Sequence, residues 1–110
     1  MMMNNIKLLG RLTAKPELKQ SSKGRSYAFF TVATPRQNNR DEADFIRCIA
    51  FDKLADAMAK HCGKGRQVLL DGRLEVNVSD KGDGSPVAFF HTVIANHVDF
   101  LHDPNREAVA

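Results

Sequence analysis

The sequence predicts an all-β fold: a five-stranded Greek-key barrel with one short helix between its third and fourth strands. Three observations predict it. Segments alternating between apolar and polar residues recur along the 110 residues, the pattern of half-buried strands. Gly10 and Gly72 sit inside such segments, where a small barrel must bend. Helical spacing follows only Asp52, where Leu54, Met58 and Cys62 recur four apart. A chain of this length suits one domain, here residues 5–101, between a flexible start at 1–4 and a short flexible tail at 102–110.

The elements follow in order. Asn5 to Thr13 alternates imperfectly, with Ile6, Leu8 and Leu12 on one face and Lys7, Leu9 and Arg11 on the other. Pro16 breaks the run, Glu17 to Gln20 can form a short edge segment, and Ser21 to Gly24 is a turn by composition. Ser26 to Thr34 is aromatic and β-branched, hence a strand. Its parity puts Ala28, Phe30 and Val32 in the core and leaves Tyr27 and Phe29 facing the other way, open to either surface stacking or an oligomer contact. Gln37 to Glu42 has no apolar residue and reads as an exposed loop.

Phe45 to Phe51 is the third strand. Phe45, Arg47, Ile49 and Phe51 share one parity, so two rings and a guanidinium project to one side. Asp52 is placed to cap the helix that runs to Cys62, and Gly63-Lys64-Gly65 is placed to stop it with left-handed backbone. Leu54 and Met58 then plug the open end of the barrel. In Gln67 to Val78, Val68, Leu70, Leu74, Val76 and Val78 share a face against Gln67, Asp71, Arg73, Glu75 and Asn77. Ser79 to Pro86 is a hairpin loop, and Val87 to Asn96 returns as a strand. Phe89 and Phe90 have opposite parity, so one of them should be exposed. Three strands, a helix and two strands in this order describe the oligonucleotide/oligosaccharide-binding (OB) fold.

Composition narrows the function classes. The net charge is +3, mildly basic and weak evidence of a polyanion partner by itself. No apolar run approaches the ~18 residues of a membrane helix, and the N-terminus lacks a signal-peptide layout. Cys48 and Cys62 match no zinc spacing and read as buried free thiols, so a cytoplasmic location is expected. His61, His91, His97 and His102 show no metal or protease spacing. Asp41, Glu42 and Asp44 form an acidic stretch in a polar loop, a remote candidate for a nuclease metal site and more simply a solvated patch. Gly82-Asp83-Gly84 is a turn with no helix behind it, not a phosphate cradle. No enzyme and no cofactor are expected.

Five segments carry a resemblance. Leu8 to Lys19 (LLGRLTAKPELK), Ala28 to Thr34 (AFFTVAT), Ala43 to Gly65 (ADFIRCIAFDKLADAMAKHCGKG), Gln67 to Val76 (QVLLDGRLEV) and Val93 to Leu101 (VIANHVDFL) occur in family order. Over nearly all of residues 5–101 the chain resembles bacterial single-stranded DNA-binding proteins. The resemblance implies an OB fold, sequence-tolerant binding of single-stranded DNA in replication, recombination or repair, and a homo-oligomer, a tetramer rather than a dimer. It puts Phe45 and Phe51 where the family places base-stacking aromatics. Arg11, Arg47, Lys53 and Arg73 fall on or beside strands used for backbone contacts, and Arg36 is similar. Positions near Asn38 and Ser79, where relatives often carry tryptophan, are polar, and the chain has no tryptophan. A Gly/Pro/Gln-rich linker and acidic tip are absent before Ala110, so recruitment of host repair proteins through such a tip is not expected. The alternative is a primosome-type accessory OB protein, dimeric and acting mainly through protein contacts in replication restart.

Overall fold

The computed structural model describes residues 3–105. The start expected at 1–4 and the tail expected at 102–110 therefore lie partly outside the described residues. Inside them, the Asn4 amide exchanges two hydrogen bonds with the backbone of Leu74. Asp103 pairs with Arg66, and Asn105 donates to the Lys64 carbonyl.

The described chain folds as β1 (Ile6–Leu12), β2 (Glu17–Gln20), β3 (Ser26–Pro35), β4 (Ala43–Phe51), α1 (Asp52–His61), β5 (Gln67–Ser79) and β6 (Ala88–Phe100). The strands lie in the order β1-β5-β6-β4-β3-β2, and β1 also pairs with β3. That last pairing closes five strands into a ring, the architecture the sequence predicts. The extra strand, β2, is the short edge segment at Glu17–Gln20, hydrogen-bonded to β3 from Glu17↔Phe29 to Gln20↔Ser26. The helix lies between the third and fourth strands of the ring. Two of the seams are thin. β1 meets β3 only at Arg11↔Ala33 and Leu12↔Val32, and β4 meets β6, in parallel, only at Cys48↔Val93 and Ile49↔Ile94.

The interior follows the alternation. Leu12, Ala28, Phe30, Val32, Cys48, Ala50, Val68, Leu70 and Val93 are buried, as strand parity places them. From the helix, Ala55 and Met58 enter the same core and Leu54 packs partly against it. Both mid-strand glycines have a steric reason. A Cβ on Gly10 would run into the carbonyl oxygen of Ala33, and one on Gly72 into that of Ile94. Beside Gly72 the β5–β6 register shifts: Asp71 faces His97 and Gly72 faces Ala95, so Asn96 is the bulged residue. The bulge bends β6 at the level of Gly72, where β1 stops pairing with β5.

Both helix ends fall within one residue of expectation, but neither is capped as expected. Asp52 makes no side-chain cap. It adopts a left-handed φ of 56°, and its carboxylate turns away to Arg25. At the other end the chain leaves the helix through Cys62 in extended backbone, whose N–H still donates to Met58. Left-handed backbone comes later, at Gly65, whose N–H donates to the Leu12 carbonyl and starts β5 on its course.

Beyond Leu74 and before Thr92, β5 and β6 run on as a two-stranded ribbon. Val76 and Val78 continue the apolar face of β5 but are exposed there, because no second layer covers the ribbon. At its tip, the Asp80 and Asp83 carboxylates accept hydrogen bonds from the backbone N–H groups of Gly82 and Ser85. Ser85 also holds the Asp83 carboxyl below the usual carboxylate range.

Candidate functional site

The outward parity of β3 and β4 builds one wall of a groove. Register places Tyr27 opposite Phe51, Phe29 opposite Ile49, Thr31 opposite Arg47 and Ala33 opposite Phe45. All eight side chains leave the same side of the sheet. β5 and β6 supply the other wall, with Arg73, Glu75 and Asn77 from the one and Phe90, Thr92 and Ile94 from the other. The space between is about 760 Å³ and open to solvent.

Guanidiniums sit over rings inside it. The Arg25 guanidinium carbon is 4.2 Å from the centroid of Phe51, and that of Arg47 is 4.3 Å from the centroid of Phe29. Tyr27 meets Phe29 edge-on at 5.9 Å. Arg25 also forks onto Asp52, its Nε 3.2 and 3.3 Å from the two carboxylate oxygens and its Nη2 3.2 Å from Oδ2. Arg73 is 3.5 Å from Glu75. Planar faces under positive charge can hold flat, uncharged rings strung on an anionic chain, which they grip by stacking and by charge.

Among the residues singled out from sequence, Arg47, Phe51 and Arg73 come together in this groove. Phe45 projects from the same face but lies outside the groove lining, 70% exposed. Lys53 is exposed in the first turn of α1 and is also outside it. Arg11 donates to the Gly65 carbonyl at 3.0 Å, near His102. Arg36 is held by two carboxylates, 2.9 Å from Asp44 and 3.0 Å from Glu42. That pairing also accounts for the acidic loop: two of its three carboxylates neutralise an arginine. No group of three or more His, Cys, Asp or Glu side chains among the described residues could hold a metal ion.

Sequence alone does not single out Arg25, leaves Phe29 open between stacking and an oligomer contact, and does not say which of Phe89 and Phe90 is exposed. The cross-strand register was the missing signal. Phe90 faces the groove opposite Asn77, while Phe89, opposite Val78, faces away. Both are exposed, on opposite faces of the ribbon. Cys48 and Cys62 are free and buried as expected. Burial pushes the Cys48 thiol up to about 12 and raises that of Cys62, so neither offers a thiolate nucleophile at neutral pH.

A family model described as "Single-strand binding protein family" matches residues 3–101. The chain is 38% identical over 107 residues to the single-stranded DNA-binding protein of Clostridium perfringens, covering 96% of this chain and 71% of that protein. It is 39% identical over 109 residues to single-stranded DNA-binding protein 2 of Listeria monocytogenes, covering 96% and 68%. With the single-stranded DNA-binding protein of Fusobacterium nucleatum it shares 38% over 104 residues, covering 89% and 66%. The chain thus spans about two thirds of the length of these relatives.

Proposed function

The chain belongs to the single-strand binding protein family, and from that premise we propose that it binds and protects single-stranded DNA with little regard to sequence, in replication, recombination or repair. The observation that carries the reading is the groove in which Phe29, Phe51 and Phe90 alternate with Arg25, Arg47 and Arg73. Exposed bases stack on the rings or on the guanidinium planes lying over them. Every base has a π-face, so stacking is indifferent to sequence. Phosphates meet the guanidiniums, and counterions leave the strand. A duplex keeps its bases stacked on each other and cannot use such a surface.

In this reading Phe51, Arg47 and Arg73 act within the groove. Phe45, 70% exposed on the same face, extends the stacking surface beyond it. Lys53, Arg11 and Arg36 lie further out and serve the path of a longer strand. The protein acts by binding, without catalysis or cofactor, in the cytoplasm, and as a homo-oligomer, a tetramer before a dimer. A contact between copies is supported by the outer face of β1 and β5, where Leu9 and Leu69 pair side by side, 51% and 39% exposed.

Titration of labelled oligo-dT and of a duplex of equal length across a salt series tests the reading, with native mass measured on the same sample. Tight binding of oligo-dT alone is expected, with log K falling by about 0.7 per phosphate contact for each tenfold rise in salt. Equal affinity for the duplex, or no dependence on salt, overturns it.

A further inference from the structure

The three guanidiniums of the groove are not equally available. Among the described residues Arg47 has no carboxylate partner, and Arg73 reaches Glu75 only at 3.5 Å. Arg25 is gripped by Asp52 through three contacts of 3.2–3.3 Å. The grip has a specific origin. Arg25 stands one residue before β3 and Asp52 one residue after β4, and the Tyr27↔Phe51 pairing brings those strand ends together. Asp52 is also the one non-glycine residue with positive φ among those described. Aspartate tolerates left-handed backbone better than most residues, but still at a cost. That carboxylate caps nothing in α1, and its recorded hydrogen bonds all come from Arg25.

We infer that Asp52 sets the affinity of the groove by standing in for a DNA phosphate: its carboxylate parks Arg25 over Phe51 until a backbone phosphate takes its place. The inference rests on the reading that this groove takes single-stranded DNA. Carboxylate and phosphate present similar paired oxygens to the guanidinium fork. Both side chains are more than half exposed, 56% and 60%, so the pair is weak enough to exchange. The exchange also does a second thing. While parked, Arg25 covers a face of Phe51. Once Arg25 moves to a phosphate, that ring face is open to a base. Capture of a phosphate and exposure of the ring are then one event.

A double-mutant cycle on the full chain tests this, with labelled oligo-dT as the probe and D52N, R25A and D52N/R25A as the variants. D52N is expected to tighten binding by about threefold, the scale of an exposed ion pair, and to change it by no measurable factor in the R25A background. R25A alone is expected to weaken binding. Equal tightening by D52N in both backgrounds means plain removal of a negative charge and overturns the inference, as does no change or a loss of affinity in D52N alone. If D52N fails to fold, D52G takes its place, since glycine adopts this backbone without strain; the same outcomes are expected. Failure of the unaltered protein to bind oligo-dT is a different result, and overturns the functional reading beneath.

Discussion

Phe51 and Phe45 share a strand face but not a setting. Phe51 lies in the groove under Arg25, while Phe45 stands six residues back along β4, about 20 Å at strand spacing. Their substitutions should therefore separate by ligand length. Phe51→Ala should weaken binding of both short and long oligo-dT by about tenfold, within the roughly 1–3 kcal/mol of a stacked base. Phe45→Ala should leave a groove-length oligonucleotide nearly unaffected and weaken a longer one. Fluorescence anisotropy with two lengths of oligo-dT measures both. The shared parity of Phe45, Arg47 and Phe51 was legible because strand alternation is strictly local. Arg25 was not legible. Its position beside Phe51 depends on how β3 and β4 align, and alignment is set by the whole ring. The same gap left the roles of Phe29 and Phe90 open.

At the scale of elements, α1 completes the core. Met58 and Ala55 are fully buried in the same core as the strands. Met58→Ala should cost roughly 2–5 kcal/mol, since the cavity left behind closes only in part. Chemical denaturation should show the loss while the groove residues stay in place. The helix and its inward spacing could be read from Leu54, Met58 and Cys62. So could its boundaries, to within a residue, but not its capping, because local rules for caps competed with longer-range demands: the Asp52 carboxylate goes to Arg25, and of the Gly63-Lys64-Gly65 stop it is Gly65 that takes left-handed backbone, for the turn into β5. Gly10 and Gly72 were legible as bends, although only the structure identifies the carbonyls of Ala33 and Ile94 as what forbids a side chain there. β5 was misleading past Leu74, since its alternation continues after the core has ended.

For the molecule as a whole, the buried thiols make a pH prediction. The folded Cys48 thiol loses its proton only near 12, whereas in an unfolded chain it does so nearer 9. Above 9 the unfolded state therefore sheds a proton that the folded state keeps, and stability should fall as pH rises from there toward 12. Cys48→Ala should flatten that alkaline limb, as read by denaturant titrations at several pH values. A thiol reagent at pH 8 should leave both cysteines unlabelled in the native protein and modify both once guanidinium unfolds it. The ring that shields these thiols was the most legible feature of all, because five alternating segments and one helix in this order leave few ways to close.

The ribbon of β5 and β6 carries a rule about which length changes the protein can survive. Along its arms, Asn77 and Phe90 look into the groove, and Val78 and Phe89 look out. Deleting one residue from the β5 arm would turn that strand over, placing valines in the groove and the polar wall outside. Deleting or adding a residue in the loop at 80–87 would leave both arms in phase. Over evolutionary time insertions and deletions should gather at the tip and be purged from the arms, so the arms behave as a fixed reading frame and the tip as free text.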